Sequence, residues 1–325
     1  MKVHILDDWF DTLRTLPSFA RLEGHDVTVW NDHVEDPDVL GERLREAEAL
    51  VLFRERTPVT AALLERLPNL RLVSQRSVYP HVDVEACTRH GVLLCSNMHK
   101  DAPSTAAAEL TFALILASAR QLPQQMASLK AGRWQMGVGQ SLSGRRLGLY
   151  GYGRIAKAVA GYARAFGMDV VWWASEAGRA RARADGEPVA ESRHDFFASS
   201  DFVSVHVRLK PETRGIIGRE DLLAMKPSAT FVNTSRAGLV EKGALEAALA
   251  AGRPGRIALD VYDTEPLLDP DDPIVSHPAV IGTPHIGFVT EDELDLQFSD
   301  IYDQIVAYAE GAPINMINPE ALETR

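Results

Sequence analysis

Cysteine, long apolar runs and positive charge are all scarce in this sequence, and each shortage excludes a class of protein. Cys87 and Cys95 are the only cysteines in 325 residues. They are too few for a disulfide-stabilised scaffold, and their spacing matches no zinc or redox motif. The longest apolar run, at 110–119, is well short of the roughly 20 residues that a membrane-spanning helix needs. The N-terminus turns acidic too early for a secretory signal. We therefore expect a cytoplasmic protein with no membrane partner and no metal site.

The charge balance is acidic. With 34 lysines and arginines against 45 aspartates and glutamates, the formal net charge is −11. We exclude a nucleic-acid partner because it would need a basic face, whereas a small anionic ligand needs only a few local arginines. Hydrophobic residues make up 46% and charged residues 24% of the chain, which is typical of a folded globular protein. The length favours two domains over one.

Short runs of β-branched and apolar residues alternate with helix-like segments along the whole chain. The predicted strands lie at 3–6, 27–30, 49–53, 70–74 and 91–96, and then at 146–150, 169–173, 201–207, 230–234, 257–261 and 279–283. The predicted helices include residues 60–67, 83–90, 103–120 and 291–310. This alternation favours parallel sheets covered on both faces. We predict two α/β sheets in series.

A glycine-rich turn opens the second series. The predicted strand at 146–150 runs into Gly-Tyr-Gly-Arg-Ile-Ala at 151–156, and a helix-forming sequence follows. Gly151 permits a tight turn, and Gly153 leaves room for a pyrophosphate at the helix N-terminus. The motif predicts a dinucleotide site with Gly151, Gly153, Arg154 and Ile155 as candidate ligands, although a tight turn alone would also need glycine.

The choice between NAD(H) and NADP(H) stays open. The acidic residue that usually follows the second strand and binds the ribose is missing here. Ser175 suits either cofactor, Glu176 disfavours a 2′-phosphate, and Arg179 and Arg181 favour one.

Three further segments follow predicted strands, at the sheet edge where α/β proteins bind ligands. Residues 233–238 read Asn-Thr-Ser-Arg-Ala-Gly, residues 259–266 read Leu-Asp-Val-Tyr-Asp-Thr-Glu-Pro, and residues 283–287 read Thr-Pro-His-Ile-Gly. Their reactive side chains include Arg236, Glu265 and His285. Taken singly, these three also fit a surface ion pair, a turn acid and a packed core histidine.

With the glycine turn, these segments resemble the motifs of the D-isomer-specific 2-hydroxyacid dehydrogenase family in order and in separation. The resemblance covers nearly the whole chain, including residues 203–206 and 225–236. It implies a catalytic trio of Arg236, Glu265 and His285, acting with a nicotinamide cofactor on a small 2-keto or 2-hydroxy acid.

The same resemblance places Asp260 near the nicotinamide carboxamide and adds Thr234 and Ser235 to the candidate cofactor ligands. His206, on the predicted strand at 201–207, is a candidate for the adenine side, with a packed strand end as the alternative. Arg208 stands where the family commonly has proline, and a basic group there suits either cofactor.

The chemistry of 2-keto acid reduction agrees with the trio. The planar guanidinium of Arg236 can bind a carboxylate with two hydrogen bonds and stabilise charge on the reacting oxygen. The imidazole of His285 can exchange a proton near neutral pH. A neighbouring Glu265 would orient the ring and favour its protonated form. We predict that His285 is the general acid in reduction.

The expected substrate loop departs from the family pattern. The family usually has a glycine-rich loop before an Ile-Asp pair, whereas residues 74–83 contain no glycine and end in Val82-Asp83. Arg76 stands where we expect glycine, and it is either a second anion clamp or a surface residue. Arg76, Ser77 and Val78 are the candidate substrate ligands of this loop.

The resemblance also implies the architecture. A Rossmann-type dinucleotide-binding domain at 100–289 is inserted into a flavodoxin-like substrate domain made of residues 1–99 and 290–325, and both domains are doubly wound. The active site is expected in the cleft, with hinges near 98–102 and 286–290. A homodimer is expected through the helix at 103–120 and its surroundings.

An enzyme that interconverts a small 2-keto acid and the D-2-hydroxy acid is the predicted function. The alternative is a catalytically weak, dinucleotide-binding regulatory protein on the same fold, but a sensor needs no acid–base pair. A formate-type dehydrogenase is disfavoured because glutamine is expected there in place of Glu265. The substrate and the physiological direction stay open.

Overall fold

Two parallel sheets, one of five strands and one of six, form the framework of the chain. The computed structural model describes residues 1–97 and 105–324. The polypeptide divides into a first unit, Met1–Ala102 with Thr290–Arg325, and a second unit, Pro103–Val289. Each unit contains one of the sheets.

The first unit has a sheet with the strand order 2-1-3-4-5, which is the flavodoxin-like arrangement. Its strands are β1 (Lys2–Ile5), β2 (Asp26–Val29), β3 (Ala49–Val51), β4 (Leu72–Arg76) and β5 (Leu93–Asn97). Helices α1 (Pro37–Arg43), α2 (Ala61–Leu64) and α3 (Val84–Arg89) lie between them in sequence. Four of the five strands are buried almost throughout, as expected of a sheet covered on both faces.

The second unit begins with two helices and continues with six strands. Helices α4 (Ala106–Arg120) and α5 (Leu122–Lys130) precede the strands, and helices α6 (Arg154–Ala165), α7 (Glu176–Ala184), α8 (Arg193–Ser199), α9 (Arg219–Ala224) and α10 (Ala244–Ala251) alternate with them. The strands are β6 (Arg146–Tyr150), β7 (Asp169–Trp173), β8 (Phe202–Val205), β9 (Thr230–Asn233), β10 (Arg256–Leu259) and β11 (Val280–Gly282).

The order β11-β10-β9-β8-β6-β7 makes the second sheet doubly wound. Strand β6 pairs in parallel with both β7 and β8, so the direction of winding reverses there, and ligands bind at such switch points. A single parallel bridge between Trp172 and Val189 lies beyond β7, at the position of the third Rossmann strand.

The C-terminal part of the chain returns to the first unit as helix α11 (Glu291–Ala309). Three acidic residues in its first turn complement the positive end of the helix dipole. The hydroxyl of Ser74 donates to the carbonyl of Ile301 at 2.8 Å, and the amide of Gln304 donates to the carbonyl of Gln75 at 3.1 Å. These bonds attach α11 to β4.

Short 3-10 helices occur at Leu13–Thr15, Pro17–Leu22, Pro211–Thr213, Ala237–Leu239 and Pro319–Glu323.

The predicted fold class, two parallel-sheet α/β units with a Rossmann-type arrangement in one, is confirmed. Every predicted strand is present, although several end one or two residues early, as β3 does at Val51. Helix α5 was not predicted. The expected hinge at 98–102 and the first two residues of the helix expected at 103–120 lie outside the described residues. Within the described ranges, no helix combines the length and apolar character needed to cross a membrane.

Candidate active site

The glycine turn after β6 adopts the conformation that its sequence predicts. Gly151 has φ +117°, and a side chain there would bring its Cβ within 2.3 Å of the carbonyl oxygen of His206. Gly153 precedes α6 in an extended conformation, and nothing lies within 4 Å of the place where its Cβ would stand. Gly151 therefore lets two loops meet at the switch point, whereas Gly153 leaves open space.

The start of α6 fits a phosphate group. None of the described side chains caps the helix at Gly153, so the first N–H groups of α6 stay available to a ligand. Ala156 is fully buried, while Arg154 is exposed and Ile155 half-buried. In this turn, the two glycines and the N–H groups at the start of α6 are therefore the features that suit a phosphate group.

The end of β7 is built from a tryptophan and an arginine. The guanidinium of Arg179 lies 4.3 Å from the ring centre of Trp173 and donates to the carbonyl of Ala174 at 2.8 Å. The hydroxyl of Ser175 accepts a hydrogen bond from the N–H of Gly178 at 3.3 Å and caps α7. Ser175 thus organises the helix start beside the expected ribose position.

His206 ends a buried segment after β8. Its Nε2 lies 2.9 Å from the hydroxyl of Ser204, and burial lowers the pKa of His206 to about 4. A histidine with such a low pKa is neutral at physiological pH. The imidazole of His206 is therefore an uncharged side chain at the switch point and does not act as an acid or a base.

The loop that carries Arg236 follows β9 and is held by Asn233. The buried amide of Asn233 accepts from the N–H of Ser235 and donates to the carbonyl of Arg236, both at 3.0 Å. The hydroxyl of Ser235 donates to the carbonyl of Val205 at 2.7 Å, while the hydroxyls of Thr234 and Thr111 lie 2.7 Å apart. The predicted cofactor ligands Thr234 and Ser235 thus anchor this loop to α4 and β8.

His285 and Glu265 form a direct pair. Nδ1 of His285 lies 2.5 Å from Oε2 of Glu265, and Oε1 of the same carboxylate accepts from the N–H of Tyr262 at 2.9 Å. Because Nδ1 is committed to Glu265, Nε2 is the nitrogen left for proton exchange with a ligand. His285 follows β11 and Glu265 follows β10, and these strands are neighbours.

Arg236 belongs to the same group of charges. Burial raises the pKa of Glu265. The hydrogen bond from His285 and the positive charges of His285 and Arg236 lower it by a larger amount, so the pKa lies below its ordinary value. Glu265 is therefore a carboxylate at neutral pH. The structure brings the three predicted catalytic residues together at the ends of β9, β10 and β11.

Asp260, at the end of β10, is fully buried and holds the His285 loop. Its Oδ1 accepts from the hydroxyl of Thr283 at 2.6 Å and from the N–H of Ile286 at 2.8 Å, and its Oδ2 accepts from the N–H of Gly287 at 2.9 Å. Burial raises the pKa of Asp260 despite these bonds. His285 adopts a left-handed conformation with φ +54°. The carboxylate of Asp260 therefore binds the chain on both sides of His285, at Thr283 before it and at Ile286 and Gly287 after it.

Arg76 lies in the first unit with its charge already matched. Its Nε is 3.2 Å from Oδ2 of Asp300, and its Nη1 is 4.0 Å from Oε1 of Glu293, both on α11. The side chain is only 9% exposed, so it is no surface residue. Two carboxylates of the same unit therefore lie at ion-pair distance from the guanidinium.

The residue of the expected substrate loop that adopts a glycine-like conformation is Ser77, with φ +83°. Its N–H donates to the carbonyl of Asn97 at 3.0 Å, and its carbonyl accepts from the amide of Gln75 at 3.0 Å and the hydroxyl of Ser96 at 2.7 Å. Val78 follows it and is half-buried. The loop keeps a backbone shape that favours glycine although it contains none.

Several organising residues were not predicted. Asn233 and Tyr262 lie inside the motifs, but the motifs alone imply no role for them. Gln75 and Ser96 lie outside the four motifs. A polar residue at the end of an otherwise apolar strand is the signal that could have found Gln75, Ser96 and Asn233, because a buried polar group needs partners.

Comparison with known proteins agrees with this geometry. The model of the family "D-isomer specific 2-hydroxyacid dehydrogenase, NAD binding domain" matches residues 112–287. A glyoxylate reductase from Thermococcus litoralis is 33% identical over 313 residues, which are 92% of each chain. A D-3-phosphoglycerate dehydrogenase from Methanocaldococcus jannaschii is 37% identical over 81% of this chain, but the match spans only 50% of that protein.

A solved structure of a phosphoglycerate oxidoreductase from Vibrio cholerae superposes with a TM-score of 0.91 at 46% identity, over 96% of this chain and 100% of that one. The four motifs, the doubly wound second sheet and these matches lead to one assignment. The chain belongs to the D-isomer-specific 2-hydroxyacid dehydrogenase family and carries that family's NAD binding domain.

Proposed function

We propose that the protein transfers hydride between a nicotinamide dinucleotide and C2 of a small 2-keto or 2-hydroxy acid, forming or consuming the D-isomer. The observation that carries the proposal is the 2.5 Å contact between His285 and Glu265, with the charge of Arg236 acting on the same carboxylate. This arrangement provides an oriented proton donor and an anion-binding group at one sheet edge.

The residues at the switch point fit the cofactor. The N–H groups at the start of α6 would bind the pyrophosphate, with Gly151 and Gly153 leaving the space that it needs. The segment around Trp173 and Ser175 would face the adenosine ribose, and the Asp260 region the nicotinamide. When bound, the cofactor supplies or accepts the hydride.

His285 moves the proton. In reduction, Nε2 donates a proton to the carbonyl oxygen of the acid, and in oxidation it removes the hydroxyl proton. Glu265 fixes the ring orientation through Nδ1 and stabilises the imidazolium, because its lowered pKa keeps it ionised.

Arg236 binds the acid. A guanidinium matches a carboxylate with two parallel hydrogen bonds, and its charge also stabilises negative charge that develops on the carbonyl oxygen. The hydrogen bonds of Asn233 and Ser235 hold the backbone of this loop in place, and Nη1 of Arg236 donates to the carbonyl of Ser235 at 2.7 Å, so the guanidinium is positioned before the substrate arrives.

The first unit supplies further candidate substrate ligands. Ser77 and Val78 are the candidates in this loop. The carbonyl of the left-handed Ser77 accepts hydrogen bonds from the side chains of Gln75 and Ser96, and these bonds fix the backbone of the loop. The charge of Arg76 is neutralised by α11, so Arg236 is the better candidate for the substrate carboxylate.

The test is a cofactor assay with a panel of acids. Absorbance of NADH and of NADPH is followed with glyoxylate, hydroxypyruvate and pyruvate, and NAD+ reduction is followed with D-3-phosphoglycerate. His285→Ala should lower turnover by about 10²–10⁴, whereas His194→Ala, which removes an exposed histidine on α8, should leave it unchanged. Cofactor binding without turnover on any acid would support the regulatory alternative instead.

We also propose a homodimer. Helix α5 and the segment after it expose an apolar surface, named the α5 surface here, formed by Leu122, Met126, Leu129, Trp134 and Val138. Trp134 is 75% and Val138 89% exposed, and several large apolar side chains exposed within one short segment favour an interface there. A second copy of the chain is the partner expected from the family.

A reducing compartment such as the cytoplasm suits the two cysteines. Cys87 and Cys95 are both unpaired and buried, and burial raises the pKa of each thiol to about 12. They are inert core residues with no part in the proposed chemistry.

A further inference from the structure

The end of β7 carries no acidic side chain. In dinucleotide-binding sheets, the strand next to the glycine-turn strand ends beside the adenosine ribose, and an acidic residue there accepts hydrogen bonds from both ribose hydroxyls. Here β7 ends at Trp173, followed by the buried Ala174 and the exposed Ser175. Nothing at these three positions favours a free 2′-hydroxyl over a 2′-phosphate.

Arg179 occupies the corresponding region instead. Its guanidinium lies 4.3 Å from the ring centre of Trp173, and one of its nitrogens donates to the carbonyl of Ala174 at 2.8 Å. Stacking on an indole and a fixed carbonyl contact hold the planar group at the strand end. Only one of its donors is used there, so the others can bind an anion.

Gly178 is the reason that α7 approaches the strand end so closely. A Cβ at this position would stand 2.7 Å from the Cβ of Ala174 and 3.4 Å from the hydroxyl oxygen of Ser175. Any side chain would push the first turn of α7 outward and would carry Arg179 away from Trp173. The glycine and the stacked arginine are therefore parts of one local arrangement.

The charges around Arg179 leave it suited to an anion. In the part of the chain that the structure describes, Arg179 forms no ion pair with a carboxylate. Arg181 and Arg183 lie on the same helix and add positive charge, while the exposed Glu176 at the helix start is the opposing charge. Two further arginines against one glutamate leave the helix positive.

We propose that Arg179 binds the 2′-phosphate of the cofactor, with the hydroxyl of Ser175 as a second donor, and that the protein prefers NADP(H) to NAD(H). The inference rests on the proposed function, because it assigns the cofactor end of that same site. A phosphomonoester carries close to two negative charges at neutral pH, and a guanidinium can bind it with two hydrogen bonds.

The test measures binding without turnover. Isothermal titration calorimetry compares ADP-ribose with 2′-phospho-ADP-ribose, and NADH with NADPH, on the full chain and on Arg179→Ala. We expect the phosphorylated ligand of each pair to bind more tightly to the unchanged protein. Arg179→Ala should lose about tenfold or more in affinity for the phosphorylated ligands, the value of a charge-assisted hydrogen bond, and should keep its affinity for the others.

Two further variants separate position from charge. Arg183→Ala removes the same charge from an exposed site on the same helix and should change each affinity by less than about twofold, as screened surface charges do. Arg179→Lys keeps the charge but loses the planar contact, so it should restore only part of the preference. Circular dichroism confirms that each variant is folded.

Three results would overturn the inference. The first is tighter binding of NADH than of NADPH by the unchanged protein. The second is an equal loss of affinity for both ligands of a pair in Arg179→Ala. The third is the same loss of affinity in Arg183→Ala. These outcomes leave the proposed function intact because a dinucleotide still binds. If neither dinucleotide bound, the proposed function would fail as well.

Discussion

Asp260 and His285 are linked through the backbone: the carboxylate of Asp260 accepts hydrogen bonds from the N–H groups of Ile286 and Gly287, the two residues that follow His285. The left-handed conformation of His285, at φ +54°, is one that a side chain usually avoids, at a cost of about 1–3 kcal/mol. The buried carboxylate offsets that cost. Asp260 is therefore a positioning residue for His285.

Replacing Asp260 with asparagine tests this link. An amide nitrogen cannot accept the hydrogen bond of Gly287, so a buried N–H loses its partner at a cost of about 1–3 kcal/mol. We expect a lower thermal midpoint and a loss of about 10- to 100-fold in kcat, because small displacements of a catalytic group have effects of that size. Asp263→Asn, at an exposed neighbouring site, is the matched control. An increase confined to the KM for the cofactor would assign Asp260 to cofactor binding instead.

Replacing Glu265 with glutamine keeps the side chain's shape and removes its charge. The imidazole of His285 then loses the carboxylate that orients its ring, so we expect the maximal rate of keto-acid reduction to fall about tenfold or more. Steady-state kinetics of both proteins measure kcat and the KM for the acid. A glutamine variant with an unchanged kcat would contradict the pairing.

Stability should depend on pH through the same residue. The pKa of Glu265 is lower in the folded chain than its ordinary value, despite burial. Its ionised form therefore stabilises the fold above the ordinary carboxyl pKa, and this contribution is lost as pH falls through the folded value. We expect the unfolding free energy of the unchanged protein to fall more steeply below about pH 4–5 than that of Glu265→Gln. Parallel slopes in denaturant titrations would remove this role.

Ser77 offers a test of backbone strain. Its φ of +83° suits glycine, so Ser77→Gly should be neutral or should stabilise by up to about 1 kcal/mol, the balance of relieved strain and added chain entropy. Ser77→Val should destabilise by about 1–3 kcal/mol, because a β-branched residue tolerates this region poorly. Thermal unfolding ranks the three proteins. A valine variant as stable as the serine protein would show that the loop relaxes freely.

The α5 surface predicts the oligomeric state. Met126→Lys combined with Leu129→Lys places two charges on an exposed apolar face and should convert a dimer to monomers. Light scattering after size-exclusion chromatography gives the mass. Lys130→Glu, a charge change at the end of the same helix, is the control and should leave the mass unchanged. A monomeric unchanged protein would reject the homodimer.

Alternation of apolar strands with helical segments was enough to predict both sheets. The strands from β6 onward follow directly from runs such as residues 146–150 and 169–173, which are strands with those same bounds in the structure. Helix α5 escaped prediction because Gln121 separates it from α4 with a left-handed φ of +52°. The apolar residues of α5 (Leu122, Met126 and Leu129) are also exposed, so the helix lacks the buried apolar face that prediction from sequence relies on.

Motif order was enough to bring Arg236, Glu265 and His285 together as candidates, since each follows a strand of one parallel sheet. The partners of Arg76 could not be predicted in the same way. They lie on α11, more than 200 residues further along the chain, and only the return of that helix to the first unit reveals the ion pairs.

The bond between Ser74 and Ile301 spans 227 residues of sequence. A ribosome therefore synthesises the entire second unit before it reaches α11, the helix that packs on β4. During that interval the first sheet has all five strands but lacks one of its covering layers. Biosynthesis thus completes the inserted unit first and leaves the first unit dependent on α11, so removal of α11 would expose the apolar face of a sheet made at the beginning.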